Sequence, residues 1–333
     1  MTGVRWPRLL IGAYLELRMI PVLLWSFSAI TLGSALGWSD SAVPGWLVAA
    51  WAIGLLLQGA VAHCVNELTD WRSGTDRDPA PRVLSGGSKV LRAGLLTERE
   101  LVWMGSLAAG AATVLGTLVS AERGWWLLGF GAIGIVGAVL YTLPPVAAAY
   151  IPFAGEAVAV LCVWACALGG FAVQRGTITG SVALVGAAHA AYCVSMLMFH
   201  HSLDRGPDSR ATPQKRTTLV WLGSGARAYA VAWSVCALAL ATVAALSVTA
   251  KVAPLIAAAV LATFLHARVD LDDAAAVTKA ETAVIVVGIA AAVGSAIWVA
   301  PAMWWTALVP MVMIPVEGLI AGRWLTPALA APH

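Results

Sequence analysis

Charged side chains are scarce in this protein. Asp, Glu, Lys and Arg make up only 11% of its 333 residues, whereas about 25% is typical of soluble globular domains. Hydrophobic residues account for 60% of the chain, and its mean hydropathy is +0.84. This balance excludes an ordinary soluble domain and indicates an integral membrane protein.

Cysteine is also rare, and the net charge is small. The five cysteines are odd in number and all lie in apolar segments, where cysteine behaves as a small hydrophobic residue. We therefore expect neither a disulfide framework nor a thiolate metal site. The 20 basic residues exceed the 17 acidic ones by three. Because these charges lie in loops that would face anionic lipid, they require no nucleic acid as a partner.

Long apolar runs are abundant, and they are continuous rather than alternating. A run of roughly 17 to 25 residues can cross the ~30 Å hydrocarbon layer as a helix, and lipid admits only helices or closed barrels. We therefore predict an all-α integral membrane protein surrounded by the lipid bilayer. The predicted spans cover residues 9–37, 44–65, 101–120, 124–142, 152–173, 180–200, 226–248, 252–268, 281–299 and 303–320.

The distribution of basic residues predicts how the chain crosses the membrane. With the N-terminus inside the cell, 16 of the 20 Lys and Arg residues lie on the cytoplasmic side, as the positive-inside rule requires. Arg123, Arg175 and Lys251 fall outside, and Arg18 lies within the first span. That span is too long to be the apolar core of a signal peptide, so we expect it to be retained. The protein is therefore expected in the cell membrane with its long loops in the cytoplasm.

Two of these loops, residues 66–100 and 201–227, carry nearly all of the ionisable groups. In the first, Asn66 and Asp70 are four residues apart and share a helix face, and Gly74 permits a turn that returns Asp76 toward them. Asp78 is equally compatible with a metal ligand and with a surface or capping residue. Apolar residues in the rest of this loop predict an ordered segment, with short amphipathic helices that cap the bundle.

The second loop repeats the arrangement. Asp204 and Asp208 are again four residues apart, but Gly206 and Pro207 lie between them. A glycine followed by a proline predicts that the helix ends there and that Asp208 lies in a turn. A basic pair, Lys215 and Arg216, follows in the sequence, as in the first loop, where basic residues also follow the carboxylates.

Two sets of carboxylates that face each other would repel unless a cation joined them. Oxygen ligands select Mg²⁺ or Ca²⁺, and Mg²⁺ is commonly held by one or two carboxylates together with phosphate oxygens of a substrate. Basic residues beside such a site suit a ligand with several negative charges, such as a diphosphate. The two loops therefore predict a site for a metal-bound diphosphate at the mouth of an apolar cavity.

These motifs resemble those of a known family. The stretch NELTDWRSGTD, residues 66–76, resembles the first aspartate-rich motif of the UbiA superfamily of intramembrane prenyltransferases. The stretch DRGPD, residues 204–208, followed by QKRTTL, residues 214–219, resembles the second motif. Their spacing is closest to the menaquinone branch, the 1,4-dihydroxy-2-naphthoate prenyltransferases. Further similar stretches are RMIP (18–21), LSGGSKVLRAGLLT (84–97) and YTLPP (141–145), so the resemblance covers most of the chain.

The resemblance implies a fold and a reaction. The fold is a single transmembrane catalytic domain, residues 1–333, with nine to ten helices around a central apolar cavity and cytoplasmic cap loops at 66–100 and 201–227. The reaction is a Mg²⁺-dependent transfer of the prenyl group of an isoprenyl diphosphate to a hydrophobic aromatic acceptor, a quinone precursor. The implied metal ligands are Asn66, Asp70, Asp76, Asp204 and Asp208, and the implied diphosphate contacts are Arg72, Lys215 and Arg216. The candidate catalytic residues are Tyr141, at the cytoplasmic end of the fourth span, and His200 and His201, which adjoin Asp204 and could orient a ligand or act as a base.

The chain departs from the family pattern at three places. Shortly after the proline pair, relatives usually carry a basic residue, whereas this chain has VAAAY, residues 146–150. His200 and His201 replace an asparagine pair, and a tenth apolar segment follows the expected ninth. The missing base keeps a UbiA-type terpene cyclase open as an alternative, in which the carbocation is attacked by its own double bonds. A transporter or lipid-binding protein is a third reading, but it predicts charges at the bilayer midplane, where the sequence has almost none.

Overall fold

The protein is a bundle of membrane-spanning helices. A computed structural model describes residues 5–77 and 84–330, and within these ranges the chain contains helices and no strand. Ten of these helices are long and apolar enough to cross a membrane, which confirms the predicted fold class. We number them α1 (Trp6–Leu36), α2 (Pro44–Ser73), α3 (Glu98–Arg123), α4 (Trp125–Thr142), α5 (Ala154–Arg175), α6 (Gly180–Arg210), α7 (Thr218–Ser247), α8 (Ala250–Arg268), α9 (Ala274–Val299) and α10 (Pro301–Leu325).

Several helices extend well beyond their predicted ends, and two of them carry the acidic motifs. α2 continues to Ser73 and α6 to Arg210, so both acidic motifs begin on helices that project out of the spans. The prediction that the helix ends at Gly206 and Pro207 was wrong, because Pro207 lies inside α6 near its end. A proline removes one helical hydrogen bond, and here Pro207 and Asp208 are both buried in the last turns of α6.

Several spans deviate from regular α-helix. α1 begins within the helix Arg5–Glu16 and is interrupted by a break at Arg18. A second helical segment starts at Met19 and passes through a π-helical stretch, Leu23–Phe27, into Ser28–Leu36. α2 contains a π-helical stretch, Leu55–Ala62, and such stretches frequently occur at functional sites. Short 3₁₀ turns occur at Thr75–Arg77, Trp125–Leu127, Ala148–Tyr150, Gly223–Gly225, Ala250–Val252 and Pro301–Ala307.

The helices pack in two groups. α6 is the central helix and is almost entirely buried; it packs against α5 and α7, while α1 packs against α5 and α9. The helices α2, α3 and α4 contact one another and form the other group. α1 and α5 approach closely: the side chain of Ser34 on α1 donates a hydrogen bond to the carbonyl of Gly170 on α5 at 2.9 Å.

A cavity of about 590 Å³ lies between the two groups. Its polar mouth is at the end of the bundle that carries residues 66–77, 84–100 and 201–227, which we call the cap end. From there it runs along α4 from Tyr141 to Leu128, a distance of roughly 20 Å at the helical rise per residue. Apart from its mouth the cavity is lined mainly by apolar side chains and glycines.

The segment 84–97 closes part of the cap end. It forms turns rather than the predicted amphipathic helices, because Gly86, Gly87, Lys89 and Gly94 adopt positive φ angles that no α-helix contains. Its apolar residues are ordered nevertheless, since Val90, Leu95 and Leu96 are buried against α1 and α3. Asp78 lies outside the described residues.

Candidate active site

Asp70 is the buried centre of the cap end of the cavity. Its Oδ2 accepts hydrogen bonds from Asn66 Nδ2 at 2.9 Å and from Lys215 Nζ at 2.6 Å. Its Oδ1 accepts a hydrogen bond from the hydroxyl of Tyr150 at 2.7 Å. Three donors, one a helical turn away on α2 and two from distant parts of the chain, therefore stabilise this buried carboxylate. With its amide nitrogen on Asp70, Asn66 keeps its amide oxygen as an acceptor at the cavity wall.

Asp76 reaches the same cavity by the predicted turn. Gly74 ends α2 with a φ angle of 90°, and the 3₁₀ turn that follows brings Asp76 back to the cavity wall. Burial raises the pKa of Asp76 well above its usual value, and the nearby carboxylates of Asp70, Glu67 and Asp204 raise it further. Its Oδ2 is buried and receives no hydrogen bond from the residues that the structure describes. Such an oxygen is a natural partner for a cation.

The second motif lines the opposite wall through α6. His200, His201 and Asp204 all border the cavity. Nδ1 of His200 lies 3.0 Å from Oε1 of Glu281 on α9, and its Nε2 lies 3.6 Å from Oδ2 of Asp204. The imidazole ring is therefore held between two carboxylates. Sequence reasoning missed Glu281, although a lone acid within an apolar span is itself a signal for a functional residue.

Lys215 joins the two motifs. Its ammonium group contacts Asp70, while its backbone N–H donates to the carbonyl of Asp208 at 3.1 Å. Burial would lower the pKa of Lys215, but the carboxylates of Asp70 and Asp208 outweigh it and raise the pKa well above its usual value. A hydrogen bond from Thr212 N to the carbonyl of Ser73 at 2.9 Å also ties the loops together. Asp208 is fully buried behind the cavity wall.

The basic residues that line the cavity differ from the predicted diphosphate contacts. Arg72 pairs with Glu98 at 2.8 Å, its side chain is 61% exposed, and it does not line the cavity. Arg216 is also exposed. The cations that line the cavity with Lys215 are Arg18 and Lys89. A diphosphate contact by Arg72 or Arg216 remains a prediction, and this structure does not place either side chain at the cavity.

Arg18 and Lys89 share an unusual backbone conformation. Their φ angles are 48° and 65°, in the left-handed region that non-glycine residues seldom adopt. Within the described residues, no hydrogen bond or ion pair engages the guanidinium group of Arg18. Lys89 Nζ donates to the carbonyls of Ser85 and Gly87 at 3.0 and 3.3 Å. Burial lowers the pKa of Lys89 to about 8, and the charge of Arg18 contributes to this shift.

Two tyrosines border the site in different ways. Tyr141 lines the cavity at the end of α4, as its sequence position suggests. Tyr150, which the sequence did not single out, bonds to Asp70 and also to the hydroxyl of Ser73 at 3.1 Å. Burial raises the pKa of Tyr150, and the Asp70 carboxylate raises it further, so its phenol is a hydrogen-bond donor at neutral pH. Ala149, beside it, is buried.

Comparison with known proteins identifies the family. The model of the UbiA prenyltransferase family matches residues 24–281. The chain belongs to this family. Among curated UbiA-like enzymes, the 1,4-dihydroxy-2-naphthoate octaprenyltransferase of Bacillus subtilis (strain 168) is 30% identical over 137 residues, which cover 41% of this chain and 42% of the relative. The similarity therefore spans about two fifths of the length of that enzyme.

Solved UbiA structures share the fold. A UbiA homolog from Archaeoglobus fulgidus bound to GPP and Mg²⁺ aligns with a TM-score of 0.62 and 17% identity over 84% of this chain and 99% of that chain. The same homolog bound to DMAPP and Mg²⁺ aligns with a TM-score of 0.62 and 16% identity over 84% and 98%. The helices that surround the cavity are thus a UbiA bundle. The family match stops at Glu281, so α10 lies beyond it.

The UbiA-like motifs do not form a closed metal site by themselves. Among the described residues, no three His, Cys, Asp or Glu side chains are grouped tightly enough to hold an ion alone. Mg²⁺ does not require such a group, because it commonly combines one or two carboxylates with water and substrate phosphate oxygens. The carboxylates of Asp70, Asp76 and Asp204 face one cavity, and Asp76 retains a buried oxygen without a described donor. This oxygen-only donor set fits Mg²⁺.

Proposed function

We propose that this chain is a Mg²⁺-dependent prenyltransferase that moves the prenyl group of an isoprenyl diphosphate to an aromatic acceptor. One observation carries the proposal. Carboxylates from both motifs and the cations Arg18 and Lys89 meet at one end of a deep apolar cavity. A diphosphate with a hydrocarbon tail has the same division between a charged head and an apolar body.

The metal would be held by the first motif and by α6. Asp70, Asp76 and Asp204 supply carboxylate oxygens, and Asn66 supplies an amide oxygen. Asp208 lies behind the wall, where it favours the charged form of Lys215. Bound Mg²⁺ would supply positive charge to the departing diphosphate. The solved relatives that hold GPP or DMAPP together with Mg²⁺ support this assignment.

The residues of this chain then have separate tasks. Arg18 and Lys89 bind the diphosphate oxygens and stabilise the negative charge that develops when the carbon–oxygen bond breaks and its electron pair leaves with the diphosphate. The allylic cation remains in the cavity, where Trp25, Phe130 and Tyr141 are among the lining residues. Their exclusion of water delays hydrolysis of the cation.

The acceptor is proposed to be an aromatic ring of the quinone-precursor class. The similarity to the Bacillus naphthoate enzyme supports this class. The ring forms a new carbon–carbon bond with the prenyl carbon and loses a proton, and His200 and His201 are placed at the cavity wall to receive it. Glu281 fixes the ring of His200. The basic-residue distribution supports a cell-membrane location with the cap end in the cytoplasm.

The test uses the purified protein in lipid nanodiscs with Mg²⁺ and geranyl diphosphate, with and without 1,4-dihydroxy-2-naphthoate. We expect diphosphate release and a prenylated acceptor, identified by mass spectrometry. Asp70→Asn and Asp204→Asn should each reduce release by about 10²-fold or more, since charge-stabilising groups contribute at this scale. Asp272→Asn is the matched control, because the Asp272 side chain is 92% exposed.

The outcomes separate the alternatives. Formation of a cyclic hydrocarbon or alcohol without any acceptor would show that the reaction is a cyclisation rather than a transfer. The assignment of the diphosphate site would be unaffected. Binding of Mg²⁺ and diphosphate without turnover for any acceptor or chain length would contradict an enzyme and favour a transport or lipid-binding role. Equal rates for Asp70→Asn, Asp204→Asn and Asp272→Asn would overturn the site assignment.

A further inference from the structure

A carboxylate from the tenth span enters the candidate site. α10 lies beyond the family match and is the most exposed of the ten spans. Three of its residues nevertheless line the cavity: Glu317, Ala321 and Leu325. Glu317 is the acid among them, and it borders the cavity together with Arg18 and Ile20 of α1.

Glu317 makes a specific contact with the break in α1. Its Oε2 accepts a hydrogen bond from the backbone N–H of Ile20 at 2.8 Å. Ile20 lies in the first turn of the helical segment that begins at Met19, and the preceding residue, Arg18, provides no side-chain cap. The first N–H groups of a helical segment need acceptors from outside the helix. Glu317 supplies one from another span.

α10 is the element positioned to do this. Beyond the break, the outer part of α1 packs against α9, whereas the segment Arg5–Glu16 and the turn Met19–Val22 contact α10. Ala321 and Trp324 of α10 also pack against the cluster formed by Leu15 and Leu95. α10 therefore covers the cap-end half of α1, the half that carries Arg18.

We propose that Glu317 is a positioning residue for Arg18. Glu317 accepts the hydrogen bond from Ile20 and places a negative charge beside the break in α1. It thereby stabilises the left-handed backbone conformation of Arg18, which directs the guanidinium group into the cavity. The tenth span is thereby part of the diphosphate-binding end of this chain. This inference rests on the proposed function, because it assumes that Arg18 binds the diphosphate.

The test is a double-mutant cycle on steady-state kinetics with geranyl diphosphate. Glu317→Ala should raise KM for the diphosphate about tenfold and also lower kcat, because Arg18 both binds the diphosphate and stabilises the charge that develops on it. Glu317→Gln keeps an oxygen for Ile20 N–H and should restore most of the affinity. In the Arg18→Ala background, Glu317→Ala should add less than a twofold effect, since both act through one group. Glu122→Ala, exposed on α3, is the control.

Two results would overturn the proposal: an unchanged KM in Glu317→Ala, or effects of Glu317→Ala and Arg18→Ala that multiply in the double variant. If Glu317→Ala does not fold, the KM values of Glu317→Gln and Glu317→Asp provide the test. The Asp side chain keeps the charge but is too short to reach Ile20, so Glu317→Asp should raise KM more than Glu317→Gln does. The opposite order would also overturn the proposal.

A readout without turnover separates this inference from the proposed function. Phenylglyoxal modifies accessible arginines, and mass spectrometry reports the extent at Arg18. We expect Mg²⁺ with inorganic pyrophosphate to protect Arg18 in the wild type and to protect it several-fold less in Glu317→Ala. Equal protection in both proteins would refute the role of Glu317 even if the enzyme is a prenyltransferase, and protection without any turnover would leave only the proposed reaction refuted.

Discussion

Lys215 and Arg216 are neighbours with opposite surroundings. Both were predicted to bind diphosphate, yet only Lys215 is buried, and its ammonium group lies 2.6 Å from Asp70. Arg216 is exposed to solvent. Because a buried carboxylate without a partner is very costly, Lys215 acts first as the counter-ion of Asp70 and Asp208. Any contact of Lys215 with diphosphate comes in addition to this role.

The pair provides a prediction at the scale of the residue. Lys215→Met should lower the free energy of unfolding by about 3 to 5 kcal/mol, because it removes the buried positive charge beside Asp70 and Asp208, and diphosphate release should be lost. Arg216→Met should stay within about 0.5 kcal/mol, as expected for an exposed position. Unfolding midpoints in detergent and release assays measure both effects. Equal losses in the two variants would show that Lys215 has no special electrostatic role.

Residue spacing predicted some of the site residues and could not predict others. Asn66 and Asp70 were found from the sequence because helical periodicity alone puts them on one face. Tyr150 could not be found this way, because its hydroxyl reaches Asp70 only through the fold of the chain after α4. Arg18 and Lys89 lay in stretches that resemble the family, but their access to the cavity depends on left-handed backbone angles, which no spacing rule encodes.

At the scale of the element, apolar length predicted the ten spans better than it predicted their ends. Hydropathy marks where a helix leaves the lipid, but α2 and α6 continue beyond that boundary because their protruding turns are buried by the cap segments. The break in α1 at Arg18 was also missed, although Glu16 before it and Pro21 after it interrupt the apolar run. At this break an acceptor for the helical N–H of Ile20 comes from another span, through Glu317.

The contact between α1 and α5 depends on two glycines. A Cβ atom at Gly33 would overlap the carbonyl of Ala167, and one at Gly170 would overlap the carbonyl of Ile30. Small residues allow membrane helices to approach so closely. These glycines thus set the position of α5, which forms one wall of the cavity.

Substitution tests this contact. Gly33→Ala should destabilise the protein by about 1 to 3 kcal/mol, because the added methyl group forces two backbones apart. Gly110→Ala on α3 is the matched control, since nothing lies within 4 Å of a Cβ there. Thermal unfolding in detergent compares the two variants. If Gly33→Ala is as stable as Gly110→Ala, the two helices are not in close contact.

At the scale of the whole molecule, the cavity crosses most of the bundle. It starts among the polar residues of the cap end and ends near Val173 on α5 and Leu128 on α4. The sequence predicted an apolar cavity, but its depth depends on the size of the side chains on the eight helices that line it, and no single motif reports it. A tail that leaves the cap end can therefore extend alongside α4 for several isoprene units.

This depth leads to a prediction about chain length. Gly131 lines the cavity on α4, nothing lies within 4 Å of a Cβ there, and it is ten residues from Tyr141, which is roughly 15 Å along a helix. Gly131→Phe should therefore place a ring in the path of a long tail.

We expect kcat/KM for long prenyl diphosphates to fall about tenfold or more relative to geranyl diphosphate, since a blocked subsite loses binding energy only for tails that reach it. Gly129→Phe is the control, because Gly129 is exposed on the same helix and does not line the cavity. A panel of diphosphates of increasing length, assayed with both variants, measures the ratio. If Gly131→Phe accepts every length as the wild type does, the tail does not follow α4.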